Sequence, residues 1–128
     1  MESMIAPDAA RDHFALDFGS LAEEIRRTYV ARCPGLLARY GDRGIEYLQR
    51  DMGQHLPRLV DALAAGEIAL FTEYMGWVRT LLSARGVLDR DLIEAVEIMR
   101  DVVVAKMSGA YAEQPREYTS ADIDRLLT

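Results

Sequence analysis

Few side chains in this sequence of 128 residues have the chemistry of a catalyst or a ligand, and the most informative is His55. Asp51 precedes it by four residues, so on a helix both side chains lie on one face and the carboxylate can orient the imidazole. A histidine oriented in this way can bind a metal or haem iron, or act as a general base. The alternative is structural, because a lone histidine on an apolar helix face is typically a core residue whose ring hydrogen-bonds to the backbone.

Aromatic residues give a second candidate feature. Phe71, Tyr74 and Trp77 follow one another at helical spacing and can line a pocket for a flat ligand such as a tetrapyrrole or a flavin. The alternative is that they form core, where tyrosine and tryptophan still need partners for their O–H and N–H groups. The predicted ligand-binding residues are therefore His55, Asp51, Tyr74, Trp77 and Phe71, with no catalytic residue and no metal ligand.

The motifs of common enzyme classes are absent from the sequence: it contains no G-x-S-x-G, no P-loop and no H-E-x-x-H. The single cysteine, Cys33, excludes an internal disulfide and a cysteine-based zinc site, and its surroundings favour an inert thiol. An enzyme that uses His55 and Asp51 as an acid–base pair is accordingly the weakest of the functional hypotheses.

Two apolar-striped helices between Arg43 and Arg85, joined by a turn at Gly66, must position these residues. Pro57 removes a ladder hydrogen bond and clashes with the carbonyl of Gly53, so we expect a kink there and a freed carbonyl as a partner for His55. The residues that share the face of His55 are Ile45, Leu48, Met52, Leu56, Leu59, Val60 and Leu63.

The second helix of this pair, Glu67 to Arg85, is apolar or small over most of its circumference. Leu70, Tyr74, Trp77 and Leu81 form one row, with Phe71, Met75, Val78 and Leu82 beside it. Such a helix is typically buried on two sides. We therefore predict a homodimer through the small residues Gly76 and Thr80, or through Ile98 and Val104, which fall outside the inward row of the next helix.

The remaining segments complete a predicted all-α, single-domain bundle of five to six helices over residues 19–128. Residues 1–18 are predicted to form a weakly ordered segment or a short helix from Asp8 to Phe18. The other predicted elements are a helix from Leu21 to Cys33 with a capping box at Ser20, a short helix that ends at Gly41, a helix capped by Asp89, a loop over 109–118 and a short helix from Ala121 to Leu127.

Charge and hydropathy narrow the class of partner and the compartment. Acidic residues outnumber basic ones by 21 to 15, and a net charge of −6 would repel a phosphate backbone, so no nucleic-acid binding is expected. No uncharged apolar run is long enough to span a bilayer, and the N-terminus lacks a secretory pattern. Together with the single cysteine, these features predict a cytoplasmic protein without membrane association.

The segment from Leu59 to Glu67 (LVDALAAGE), followed by Phe71, Tyr74-Met-Gly-Trp77, Arg85-Gly-Val87 and Leu92, resembles the helical regions beside B12-binding domains in bacterial cobalamin-binding regulators. The resemblance covers residues 47–104 and implies a helical module that caps cobalamin or transmits its state to a partner protein or to a B12-binding domain. The chain lacks the Asp-x-His-x-x-Gly motif that supplies a lower cobalt ligand.

Arg50-Asp51, His55-Leu56, Leu63 and Gly66-Glu67 also resemble the phycobiliprotein helix that carries an Arg-Asp pair near the bilin. This resemblance implies a globin-like helical sensor fold. The pigment-attaching cysteine would fall near Leu48, and its absence argues against a covalent chromophore.

The leading hypothesis is thus a noncatalytic sensor, regulatory or protein-interaction domain, dimeric, with a hydrophobic ligand near His55. The alternative is a haem-, bilin- or cobalamin-binding protein with His55 as the ligand, so a tetrapyrrole or cobalamin remains the candidate cofactor.

Overall fold

A computed structural model describes residues 17–106 and 110–127, and these form five α-helices without a strand. The helices are α1 (Phe18–Arg32), α2 (Gly35–Ala65), α3 (Ile68–Ala84), α4 (Asp89–Lys106) and α5 (Ala110–Leu127). The predicted all-α, single-domain bundle is confirmed. The prediction of a helix from Asp8 to Phe18 falls mostly on residues outside the described part of the chain.

The first helix begins earlier than its sequence pattern predicts. The side chain of Asp17 accepts a hydrogen bond from the backbone N–H of Ser20 at 3.3 Å, so Asp17 is the N-cap. The predicted capping box at Ser20 is wrong because Ser20 already lies in the first helical turn. The break at Pro34 and Gly35 is confirmed.

The long helix α2 changes direction at Gly41, where the short preceding helix was predicted to end. Gly41 has φ 71° and ψ 176°, a conformation essentially restricted to glycine, and it is the residue of α2 with non-helical backbone angles. The kink expected between Gly53 and Pro57 is not seen in those angles, since the helix continues through Pro57. Gly66 ends α2 in the left-handed conformation, as predicted.

The core lies where all five helices meet, and α4 is central to it because it packs chiefly on α5 and α1. Ile98 is consequently 0% exposed, which corrects the prediction that it lies on a surface for dimerisation. Val104 is half-buried. The largest fully buried side chains are Tyr29, Phe71, Ile25, Met52, Leu56, Leu59, Leu63, Met75, Ile98, Met99, Val96 and Val103.

The last helix is longer than predicted. The loop expected up to Tyr118 is wrong from Ala110 onward, because α5 runs from Ala110 through Pro115 to Leu127. Thr119 does not cap a new helix: its buried hydroxyl donates to the Pro115 carbonyl at 2.7 Å, one turn back. Within the described residues, no helix combines the length and the apolar character needed to cross a bilayer.

Candidate ligand-binding site

His55 is a buried, neutral side chain on α2. It is 4% exposed, and its Nδ1 lies 2.8 Å from the hydroxyl of Tyr74 on α3, with the two rings edge to face at a centroid distance of 5.5 Å. Burial lowers the pKa of His55 to about 4, because the charged imidazolium would have to be desolvated. The ring therefore carries no charge at neutral pH.

The partners expected for His55 from the sequence differ from the observed one. No hydrogen bond to a freed backbone carbonyl or to Asp51 is recorded for the ring among the described residues. Asp51 is half-buried nearby, and burial raises the pKa of its carboxyl group against the lowering effect of Arg50 and Arg85. The acid–base pair of His55 and Asp51 is thus not assembled in this structure.

Both His55 and Asp51 line a cavity of about 640 Å³ between α1, α2, α4 and the C-terminal end of α3. This volume lies within the range of about 300–1,000 Å³ that is typical of small-molecule sites. The apolar part of the wall consists of Leu36, Ile45, Leu48, Met52, Leu82, Val87, Leu92 and Ala95. A mostly apolar wall with a few polar groups is the usual composition of a ligand pocket.

One part of the cavity wall carries a polar cluster centred on Asp91 of α4, which is 6% exposed. Arg39 donates to both carboxylate oxygens, from Nη2 at 2.7 Å and from Nε at 3.2 Å. Tyr40 also donates to the carboxylate, and Tyr29 donates to the backbone carbonyl of Asp91. Burial and the neighbouring Asp91 raise the pKa of both tyrosines, so both hydroxyls stay protonated. The cluster is satisfied within the protein and ties α1 and α2 to α4.

The rim of the cavity carries the exposed arginines Arg43, Arg50 and Arg85. Arg43 and Arg50 lie over Tyr47, with guanidinium carbons 5.7 and 4.7 Å from the ring centroid, and Arg43 Nε donates to the Tyr47 hydroxyl at 3.0 Å. None of the three arginines has a carboxylate within ion-pair distance in the described part of the chain. The rim is therefore positive in an otherwise acidic protein.

The structure separates the other predicted ligand-binding residues. Tyr74 lies behind His55, with Arg58 over its ring at 5.0 Å, and it contributes no wall of the cavity. Phe71 is 0% exposed in the core, and Trp77 is 61% exposed on the opposite face of α3. Phe71 and Trp77 are thus not part of the site with His55, because the inward face of α3 is the one that carries Phe71, Met75 and Val78.

Trp77, Gly76 and Thr80 line a separate groove, which also includes residues from α4 and α5. The guanidinium of Arg125 lies 3.5 Å from where a Cβ on Gly76 would lie. Part of the small face of α3 is therefore packed against α5 of the same chain, a helix that is longer than predicted.

The polar cluster around Asp91 and the arginines of the rim were not predicted from the sequence. Asp91 did give a signal, because it shares a helix face with Ala95, Ile98 and Val102, all of which are buried. An acid on an apolar face predicts a buried partner. The sequence signal for the rim is weaker, because Arg43, Tyr47 and Arg50 are spaced for one face of α2 but exposed arginines are common.

Cys33 and the acidic residues give no sign of a catalytic or metal centre. The thiol of Cys33 lies 3.4 Å from Glu94 Oε1, and burial raises its pKa, so it remains protonated. No group of three or more His, Cys, Asp or Glu residues is arranged to hold a metal ion within the described ranges. Comparison of the chain with protein-family models, with curated proteins and with solved structures gave no match.

Proposed function

We propose that this protein is a noncatalytic ligand-binding domain that holds a hydrophobic small molecule in the cavity beside His55 and acts as a sensor or regulatory module. The observation that carries the proposal is the cavity itself, about 640 Å³ with mostly apolar walls and a buried neutral histidine in them. The catalytic inventory supports a binding role, because Asp51 and His55 are not paired and Cys33 is a protonated thiol.

The character of the wall supports occupancy by an apolar group. The cavity opens to solvent at its exposed arginines, so water fills it when no ligand is bound. Water against Met52, Leu92 and Ala95 finds few hydrogen-bond partners, and its displacement by an apolar group favours binding.

A neutral fluorescent probe, N-phenyl-1-naphthylamine, tests the proposal. We expect saturable binding with enhanced emission by the wild-type protein. Leu48 is half-buried in the cavity wall, so the larger side chain of Leu48→Trp narrows the cavity and should weaken binding. Leu37→Trp is the matched control, since Leu37 is on the same helix, 45% exposed and outside the wall. Absence of saturable binding, or equal binding by a folded Leu48→Trp protein, refutes the proposal.

A second candidate, a haem-, bilin- or cobalamin-binding protein with His55 as a ligand, is favoured by one observation. The hydrogen bond between Nδ1 and the Tyr74 hydroxyl orients a neutral ring that lines the cavity, and its Nε2 has no hydrogen-bond partner among the described residues. An oriented neutral imidazole is the form that binds metal. Titration with haemin or cobalamin tests this: we expect a shifted absorbance band that His55→Phe removes, and an unshifted spectrum contradicts the candidate.

The homodimer remains part of the proposed function, through the outward face of α3. Leu70 and Trp77 on this face are 50% and 61% exposed, and Tyr74 lies between them with its ring centroid 6.1 Å from that of Trp77. Light scattering after size-exclusion chromatography is expected to give twice the monomer mass, and Trp77→Glu to give the monomer. A wild-type monomer at tens of micromolar refutes the dimer.

A further inference from the structure

From the charges around the cavity we infer that its ligand is an anionic amphiphile: an apolar body that enters the cavity, with one carboxylate or phosphate group at the rim held by Arg43, Arg50 and Arg85. This inference rests on the proposed function and specifies the chemical class of the ligand.

The first step is the charge balance of the wall. Its charged side chains in the described residues are three arginines and two aspartates, Asp51 and Asp91. The charge of Asp91 is neutralised by its two-point ion pair with Arg39, and the Tyr40 hydroxyl donates a further hydrogen bond to the carboxylate. Asp51 alone opposes the arginines, so the rim keeps a positive excess although the whole chain has a net charge of −6.

The second step is the state of the arginines. Protein carboxylates form ion pairs with other arginines of this chain, for example Arg32 with Asp101 and Arg79 with Asp89. Arg50 and Arg85 have no such partner in the described part of the chain, and the hydrogen bond of Arg43 goes to a neutral hydroxyl. Guanidinium groups bind carboxylate and phosphate through charge-assisted, often bidentate hydrogen bonds. An acidic head group would supply the missing acceptors.

The third step is the direction of binding. In the polar cluster, Tyr29, Tyr40 and Asp91 have their hydrogen bonds satisfied within the protein, so they offer little to a polar ligand group. The apolar part of the wall includes the buried side chains of Met52 and Leu92, whereas the three arginines are exposed. An amphiphile therefore binds with its apolar end inward, where it displaces water, and its head outward, where the arginines and solvent are available.

The two rim arginines of α2 both contact Tyr47. Arg43, Tyr47 and Arg50 lie on one face of the helix, and the guanidinium carbons are 5.7 and 4.7 Å from the centroid of the Tyr47 ring. Cation–π contacts reduce the freedom of both side chains before a ligand binds. Arg85, the C-cap of α3, stands on the other wall.

Four compounds with the same twelve-carbon chain test the inference by displacement of N-phenyl-1-naphthylamine below their micelle-forming concentrations. We expect dodecanoate and dodecyl phosphate to bind at least about tenfold more tightly than dodecanol, and dodecyltrimethylammonium to bind more weakly than dodecanol. The two acids show which anion is preferred. The preference for the acids should decrease between about 0.05 and about 0.5 M salt, because the rim is exposed and its charges are screened.

Charge-neutral variants assign the effect to the rim. Arg50→Gln and Arg85→Gln should each weaken dodecanoate binding about tenfold and leave dodecanol binding unchanged. Arg116→Gln is the control, because Arg116 is exposed on α5, which contributes no described residue to the cavity wall. Circular dichroism shows whether each variant is folded.

The outcomes separate the two proposals. If dodecanol binds as tightly as dodecanoate, and Leu48→Trp weakens both, the cavity binds apolar ligands and the inferred preference for an acidic head group is wrong. If neither compound binds and N-phenyl-1-naphthylamine does not bind, the proposed function itself is wrong. Equal loss of dodecanoate binding in Arg50→Gln and Arg116→Gln would also overturn the role of the rim.

Discussion

The carboxylate of Asp122 should destabilise the folded protein at neutral pH. Asp122 lies on α5 and is 0% exposed, and among the described residues neither of its carboxylate oxygens has a hydrogen-bond partner. Burial raises its pKa from the ordinary value of 3.8 to about 7, against a smaller lowering effect of Arg125. Between these two values the folded state keeps a proton that the unfolded chain has released. Stability present below the unfolded pKa is therefore lost as the pH rises through the folded pKa.

The size of the effect follows from the two pKa values. They differ by about three units, and at about 1.36 kcal/mol per unit the penalty reaches about 4 kcal/mol above pH 7. Asn has nearly the shape of a protonated Asp and no charge. Asp122→Asn is therefore expected to leave the free energy of unfolding nearly unchanged at about pH 3.5 and to raise it by about 4 kcal/mol at about pH 8.

Urea unfolding followed by circular dichroism at both pH values measures this difference. The control is Asp124→Asn, which removes an exposed charge from the same helix. An increase that is equal at both pH values would contradict the titration argument. A loss of stability at the higher pH would show that the carboxylate is stabilised by contacts that the structure does not contain.

Three further changes test the framework of the site by denaturation. Asp91→Asn removes the buried charge that pairs with Arg39 and should cost about 2–3 kcal/mol, and a cost under about 0.5 kcal/mol would contradict the ion pair. Gly41→Ala should cost about 1–3 kcal/mol of stability, because only glycine readily adopts the backbone angles of Gly41. This cost should exceed that of Gly66→Ala, about 1 kcal/mol, because Gly66 has ordinary left-handed angles; the reverse order would refute the argument. Between about pH 6.5 and about pH 4, His55 is protonated in the unfolded chain but stays neutral in the folded protein. As the pH falls through this range, the free energy of unfolding of the wild type should therefore decrease by about 3 kcal/mol more than that of His55→Phe, and parallel pH profiles would be inconsistent with burial.

The helices of this protein could be predicted from local pattern, and their termini in part. The apolar stripe of α2 places Ile45, Met52 and Leu56 in the core as predicted, and Gly66 ends the helix as predicted. These features depend on residues a few positions apart. Pro115 is typical of a loop, but in the second turn of α5 it removes only one ladder hydrogen bond, a cost that the packing of α5 on α4 outweighs.

The composition of the site could be predicted only in part, because it depends on how the helices are rotated against one another. His55 and Asp51 do line one cavity, but the partner of His55 comes from Tyr74, nineteen positions later in the chain. Helical spacing predicts two adjacent apolar rows on α3 but does not show which row faces the core. In the structure the row of Phe71 faces the core, and Trp77, on the other row, lies outside the site.

The hydrogen bond between His55 and Tyr74 also separates the two candidate functions. A neutral imidazole carries one proton, so the two ring nitrogens have opposite roles. If the Tyr74 hydroxyl donates to Nδ1, the proton is on Nε2 and His55 can donate a hydrogen bond to a ligand. If Nδ1 donates to Tyr74, Nε2 has a free lone pair and can bind iron or cobalt.

The tautomer of the unliganded protein therefore predicts which ligand class the cavity accepts. Nitrogen NMR of His55 at neutral pH distinguishes the two forms, since burial keeps its pKa near 4 and the ring neutral. A proton on Nε2 fits an amphiphile whose polar contacts are at the rim, and Tyr74→Phe should then change the tautomer with little effect on dodecanoate binding. A proton on Nδ1 fits axial ligation, and the same variant should then weaken binding of haemin because the orienting partner is lost. An Nδ1 proton together with tight dodecanoate binding and no haemin binding would show that the tautomer is set by the fold alone.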